Sequence, residues 1–197
     1  MGEVTLFSNR VYIPTAMTGV YGPAEDSFLL LRHAIGRIKG AVLDMGTGSG
    51  VLAVEAAQEP GVTSVFAVDI DPEALRVARG RAEAAGVLGK MVFTVGDLFE
   101  SLGDARFDWI LFNPPYLPSE GETDEASWAG GEVGYEVFLR FLAVAEEHLN
   151  PGGGIIAVVS SRTELDLDEV ERKYNVEILE ELPLFFEGLY CLLLRPL

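Results

Sequence analysis

A chain of 197 residues, 49% of them apolar, is long enough to bury a core, and no apolar run reaches the length of a membrane span. Acidic residues outnumber basic ones by 31 to 14, which leaves a formal net charge of −17. A field of that sign repels nucleic-acid phosphates and attracts basic protein surfaces; its plainer consequence is solubility.

In chain order, EDSFLLLRHAIGRI reads as a capped helix ahead of the first strand. GAVLDMG (Gly40 to Gly46) is a short buried strand, followed by glycines and the helix-like VLAVEAAQ. SVFAVDI is a second strand. Asp71 then offers an N-cap and Pro72 a first helical residue, and Gly86 ends the helix EALRVARGRAEAAG. MVFTV makes a third strand and FDWILF a fourth. Beyond a loop rich in Gly and Glu, apolar residues at 137, 138, 141, 142, 145 and 149 predict one buried helix face over Tyr135 to Leu149. NPGGG breaks that helix and GIIAVVS is a fifth strand. The tail carries an acidic helix, then VEILEEL and GLYCLLLR as an antiparallel pair.

Strands alternating with helices predict an α/β fold with a mostly parallel sheet. No linker or internal repeat interrupts the pattern, so residues 1–197 are expected to form a single domain. The N-terminus, MGEVTLFSNRVY, lacks the basic-then-apolar layout of a signal peptide. The one cysteine, Cys191, has no disulfide partner and sits in the apolar run LYCLLL as a structural thiol. A soluble, cytoplasmic protein is the expectation.

Chemistry gathers where strands end. DMGTGSG, Asp44 to Gly50, joins a strand to a helix, and Gly46, Gly48 and Gly50 let backbone approach a ligand there. Glycines of this spacing also serve a plain tight turn. Asp69 closes the second strand, where a carboxylate can accept hydrogen bonds from both hydroxyls of a ribose. Asp97 ends the third, placed to bond an adenine amino group; capping a turn is its simpler role. Three acidic strand ends around one glycine loop point to a bound nucleoside.

FNPPY, Phe112 to Tyr116, adds the reaction. An amide nitrogen is a poor nucleophile because its lone pair is delocalised into the carbonyl. Two acceptors, the Asn113 side-chain oxygen and the Pro114 carbonyl, can hold its N–H bonds and aim that lone pair at a methyl donor. Pro114 and Pro115 stiffen the backbone that carries them, and Tyr116 can lie against the planar group. A simple loop entrance is the alternative use of these residues.

With VYGPAEDSFLLL, DMGTGSG, FNPPY and SWAGGEVGYEV in this order, the chain resembles the HemK-like release-factor glutamine methyltransferases, in their short archaeal and eukaryotic branch. That resemblance implies a Rossmann-like class I methyltransferase fold preceded by an N-terminal helix, with 1–39 as lid and helix and 40–197 as catalytic core. The implied cofactor is S-adenosyl-L-methionine, with S-adenosyl-L-homocysteine as product. Asp44 and Gly46 would lie at its methionine part, Gly48 would also contact the cofactor, and Ser27 would lie at its carboxylate end, although Ser27 is equally a helix N-cap. Asp69 would hold the ribose; Asp97 and Leu98 would flank the adenine. Asn113, Pro114, Pro115 and Tyr116 would form the catalytic and substrate-binding clamp.

The implied reaction is methylation of the side-chain amide of the Gly-Gly-Gln glutamine in a peptide-chain release factor, with protein lysine as a further acceptor. An acidic rim at Glu120, Glu122, Asp124 and Glu125 suits a basic partner or is a solvated loop. Met91 to Val95 would be an edge strand, with Met91, Phe93 and Val95 on one face and Val92 on the other. A small zinc-binding activator protein would pair with it. The chain has no metal cluster of its own: His33 and His148 lie far apart, suited to helix surfaces or ends. Two other readings compete. An adenine N6-methyltransferase shares NPPY but wants a basic groove, and a non-catalytic cofactor-binding scaffold has no need of an intact Asn113.

Overall fold

A computed structural model describes residues 5–7, 10–12, 25–114, 135–163, 165–185 and 187–197. Two short strands, β1 (Thr5–Phe7) and β2 (Arg10–Tyr12), pair antiparallel near the N-terminus, where the sequence reading had placed none. Helix α1 (Glu25–Ala34) follows. The core alternates β3 (Gly40–Met45), α2 (Val51–Gln58), β4 (Val62–Asp69), α3 (Pro72–Ala84), β5 (Met91–Val95), β6 (Phe107–Phe112), α4 (Glu136–Ala145) and β7 (Leu149–Ser160). It closes with α5 (Leu167–Glu171), β8 (Tyr174–Pro183) and β9 (Gly188–Pro196).

Seven strands form one sheet in the order β5-β4-β3-β6-β7-β9-β8. The first five are mutually parallel, while β9 runs antiparallel to both β7 and β8. Chain progression from β3 moves outward through β4 to β5, then returns to the other side of β3 as β6. The order therefore reverses between β3 and β6, the crevice where open α/β sheets bind ligands.

Strand alternation divides the core in two. Val42, Val65, Ala67, Trp109 and Leu111 face α1 and α2, packing on Leu29, Leu30, Leu31 and Ala53, all of them buried. Leu43, Met45, Val68, Ile110 and Phe112 face α4, whose Phe138, Phe141 and Leu142 give it one buried face. Each fully buried side chain of this size contributes about 1.5–3 kcal/mol relative to an exposed one. Asp44 and Asp69 share their phase with the first set, and Asn113, the residue after β6, continues the phase of Trp109 and Leu111.

Two expectations needed correction. The strand after α4 begins at Leu149 and runs through NPGGG; α4 stops at Ala145, and a single 3₁₀ turn, Glu146–His148, bridges them. A register shift between Phe107 and Trp109 absorbs the extra length. Ser27 lies inside the first turn of α1, buried, and does not cap it. In β5, Met91 and Phe93 pack partly on the first core, but Val95 stands 52% exposed and Val92 on the opposite face 42%. β5 nevertheless lies at the sheet edge, in regular register with β4 over all five residues.

The opposite edge is built differently. The register of β8 against β9 shifts between Ile178 and Glu180, and Glu180 pairs with Arg32 at 3.0 Å and with His33 Nε2 at 2.7 Å. His33 thus serves the helix surface, and His148 sits at a helix end, its Nδ1 2.7 Å from the Ala105 carbonyl and its ring stacked on Phe99. Cys191 is buried, with desolvation pushing its thiol up to about 12, as suits a structural residue.

Candidate functional site

Asp44, the fifth residue of β3, is fully buried. Its Oδ2 accepts hydrogen bonds from Thr47 Oγ1 at 2.5 Å and from the Ala53 N–H, in the first turn of α2, at 3.0 Å. Its Oδ1 has no partner among the described residues. Burial raises its pKa from 3.8 to about 7; the two hydrogen bonds oppose that shift, and the nearby Asp69 charge adds to it. A carboxylate held this way lacks one donor and one positive charge.

The glycine loop is shaped by packing as well as by backbone freedom. Gly50 has φ 78°, and a Cβ there would lie 2.6 Å from the Ala78 Cβ of α3, so only glycine lets α2 start this close to α3. Arg81 of α3 donates from Nε to the Ser49 carbonyl at 2.9 Å, and the Thr47 N–H reaches the Val68 carbonyl at 2.9 Å. The turn is tied to β4 and α3 before any ligand arrives.

Asp69 ends β4 at the same edge. Its Oδ2 accepts from the Gly48 N–H at 2.8 Å and its Oδ1 from the Asp71 N–H at 2.9 Å. Burial raises its pKa against these bonds. Each carboxylate oxygen keeps a second lone-pair site for a hydroxyl donor. Asp71 caps α3, accepting from the Glu73 N–H at 2.8 Å. Beyond β5, the Gly96 N–H bonds the Asp69 carbonyl at 3.0 Å, which fastens the Asp97 turn beside β4. Leu98 in that turn has φ 49°, the one positive φ outside glycine among the described residues. A leucine held there stores strain of roughly 1–2 kcal/mol.

Register brings the acceptor side alongside. Met45 is level with both Val68 and Phe112, and Asp69 with Val95. At about 4.8 Å per strand, the ends of β5, β4, β3 and β6 span an edge of roughly 14 Å. Asn113 is half-buried at one end of it, its Oδ1 buried and without a partner among the described residues, and Pro114 is buried behind it. Asp26 and Ser27, in the first turn of α1, are both buried, the Ser27 N–H donating to Asp26 Oδ1 at 2.5 Å.

Asp44, Gly46, Gly48, Asp69, Asp97, Leu98, Asn113 and Pro114 thus share the carboxyl edge of the sheet at its switch point. Pro115, Tyr116, the acidic rim at 120–125 and SWAGG lie outside the described residues. Two contributors went unread in the sequence. Thr47 supports Asp44 from three residues away, a spacing already visible in DMGT. Arg140 of α4 donates from Nη2 to Asp97 Oδ2 at 2.7 Å across 43 positions, and no local pattern announces it. Among the described residues no cluster of His, Cys, Asp and Glu could hold a metal ion, and no helix is long and apolar enough to cross a membrane.

The methyltransferase small domain family matches residues 18–175. A Methanocaldococcus jannaschii protein, provisionally named a protein N5-glutamine methyltransferase, is 38% identical over 149 residues, covering 73% of this chain and 74% of that one. The release factor glutamine methyltransferase of Geobacter sulfurreducens is 36% identical over 146 residues, covering 68% of this chain; the chain spans 51% of that longer protein. Among solved structures, the E. cuniculi Mtq2-Trm112 complex, described as responsible for methylation of the eRF1 termination factor, matches with a TM-score of 0.69. That match has 28% identity and covers 90% of this chain and 98% of the other.

Proposed function

Because the chain belongs to the methyltransferase small domain family, we propose that it is an S-adenosylmethionine-dependent protein N-methyltransferase acting on the Gly-Gly-Gln glutamine of a peptide-chain release factor. The observation that carries this reading is the pair of buried acceptors without partners, Asp44 Oδ1 and Asn113 Oδ1, at the ends of β3 and β6. A buried acceptor left unpaired costs about 1–3 kcal/mol, so two at one edge call for donors brought by ligands.

The residues present suit the cofactor. Its ammonium would supply Asp44 with both the missing donor and the missing charge, and the glycine loop would pass along the methionine part, with Ser27 toward the carboxylate. Asp69 would accept from the ribose hydroxyls, while Asp97 and Leu98 would border the adenine. When bound, S-adenosylmethionine supplies an electrophilic methyl group whose departure leaves a neutral thioether. The chain's own part is orientation: Asn113 Oδ1 and the Pro114 carbonyl take the two N–H bonds of the substrate amide, with Pro115 and Tyr116 completing the clamp. No protein base is required, since one amide proton can pass to water after transfer. Residues 1–197 would act as one catalytic domain.

The edge strand β5, with Val92 and Val95 exposed, would receive a small partner protein by strand addition, as the two-protein composition of the E. cuniculi structure suggests. Zinc in that partner and a cytoplasmic location follow from the family resemblance. The test is transfer of labelled methyl from S-adenosylmethionine to a release factor, its Gln→Ala loop variant, a lysine-rich protein and an adenine-containing oligonucleotide. Label that disappears in the loop variant supports the glutamine reading; label on the oligonucleotide alone refutes it.

A further inference from the structure

The turn after β5 and helix α4 meet through two contacts of different kinds. Phe99 stacks on the fully buried Phe141 with ring centroids 5.3 Å apart. Beside it, Arg140 Nη2 donates to Asp97 Oδ2 at 2.7 Å, with side-chain exposures of 54% and 34%. The aromatic stack is enough to dock the turn on the helix, and an ion pair this exposed adds little to stability. Its effect is directional. An aspartate carboxylate rotates freely about its last torsion, and one charge-assisted bond to Oδ2 holds its plane while leaving Oδ1 available to a donor.

We propose that Arg140 is a positioning residue that orients Asp97 toward the exocyclic amino group of the cofactor's adenine, and so sets the preference for adenine over a base carrying a carbonyl there. This rests on the assignment of Asp97 to adenine made above. The geometry of the cation matters as well. With Asp97 displaced, a guanidinium in this place would itself donate to such a carbonyl; paired with Asp97, it reinforces an acceptor that repels it.

Calorimetric titration of the full chain with S-adenosylhomocysteine and with its inosine analogue measures that preference directly. Wild type should favour the adenosine compound by about 30-fold or more, within the range set by one hydrogen bond to a charged group. Asp97→Asn, which can donate to the carbonyl, should collapse the ratio. Arg140→Met should lower the ratio about tenfold, and Arg140→Lys, a point charge without the planar fork, about threefold. Loss of docking alone would weaken both ligands equally and leave the ratio intact; with Asp97→Asn responding, that result overturns the role of Arg140 by itself. A ratio unmoved by Asp97→Asn overturns the adenine assignment and this inference with it. Should Arg140→Met fail to fold, Arg140→Lys decides by the same criterion.

Discussion

The ends of β3 and β6 each carry a buried oxygen without a partner, yet the two are built in opposite ways. Asp44 carries an ionisable carboxyl, is wholly enclosed, and is braced by Thr47 and the start of α2. Asn113 is neutral and half-buried. The contrast matches what each must accept. On the proposed function, a cation at Asp44 would recover the cost of burying a carboxylate, whereas a neutral acceptor at Asn113 would hold a neutral amide with no charge to bury. One end would then recognise a constant ligand and is already braced for it, whereas the other would have to admit a macromolecule.

The sharpest way to break that contrast is to remove the neutral acceptor. Asn113→Ala should cut single-turnover methyl transfer by ~10²–10³-fold, on the scale of losing one preorganised donor or acceptor at a reacting group. Calorimetric affinity for S-adenosylhomocysteine should change little, and a parallel loss of affinity would show that the two ends do not work separately. Removing the charged acceptor should do the reverse. Asp44→Asn should weaken cofactor binding by roughly 10–100-fold, the worth of a charged hydrogen bond, while the ligand-free protein gains stability at pH 8 because no charge is buried. A thermal melt and a titration of the same sample check both halves.

The pH dependence sharpens the contrast further. Between 3.8 and about 7, folded Asp44 retains a proton that the unfolded chain has released. This group therefore favours the ligand-free fold at low pH, and its contribution is lost as pH rises through about 7. Cofactor binding needs the ionised form, so affinity should fall by up to ~10-fold per unit as pH drops below 7, with proton release detectable in buffers of different ionisation enthalpy. An affinity flat from pH 5 to 8 would remove Asp44 from the ammonium site. The smallest effect concerns Leu98: relative to Leu98→Ala, Leu98→Gly should be more stable by ~1 kcal/mol, because only glycine relieves the positive φ. Equal chemical-denaturation midpoints for the two would mean that the turn is unstrained.

Much of this was legible in the residue pattern, and the reasons are local. Runs such as VFAVD and WILF leave no choice but a buried strand; Gly46 and Gly96 mark the carboxyl ends of the first and third strands, and Pro72 and Pro114 follow closely on the second and fourth. Asp44 and Asp69 stood out because buried-strand patterns rarely tolerate a charge without a purpose. What stayed hidden depends on contacts distant in sequence. Arg140 meets Asp97 only because α4 and the β5 turn pack on the same side of the sheet. The strand beginning at Leu149 carries NPGGG as an irregularity: β6 pairs with Leu149 and Gly154 on either side of it, and Arg195 Nη1 donates to the Gly152 and Gly153 carbonyls that a free turn would leave to water. Leu98 adopts its φ for tertiary reasons that propensity opposes.

The unlike edges of the sheet have a consequence for assembly. At β5 the ladder is regular and its outer side chains are apolar; at β8 it is kinked and ringed by glutamates 177, 180 and 181. A strand can be added at the first edge, but the second offers no matching rail. Head-to-tail growth needs two compatible ends, and these two edges differ in register and in charge, which disfavours a ribbon of copies. If a partner strand joins at β5, as proposed, extension of the sheet would be a terminal event.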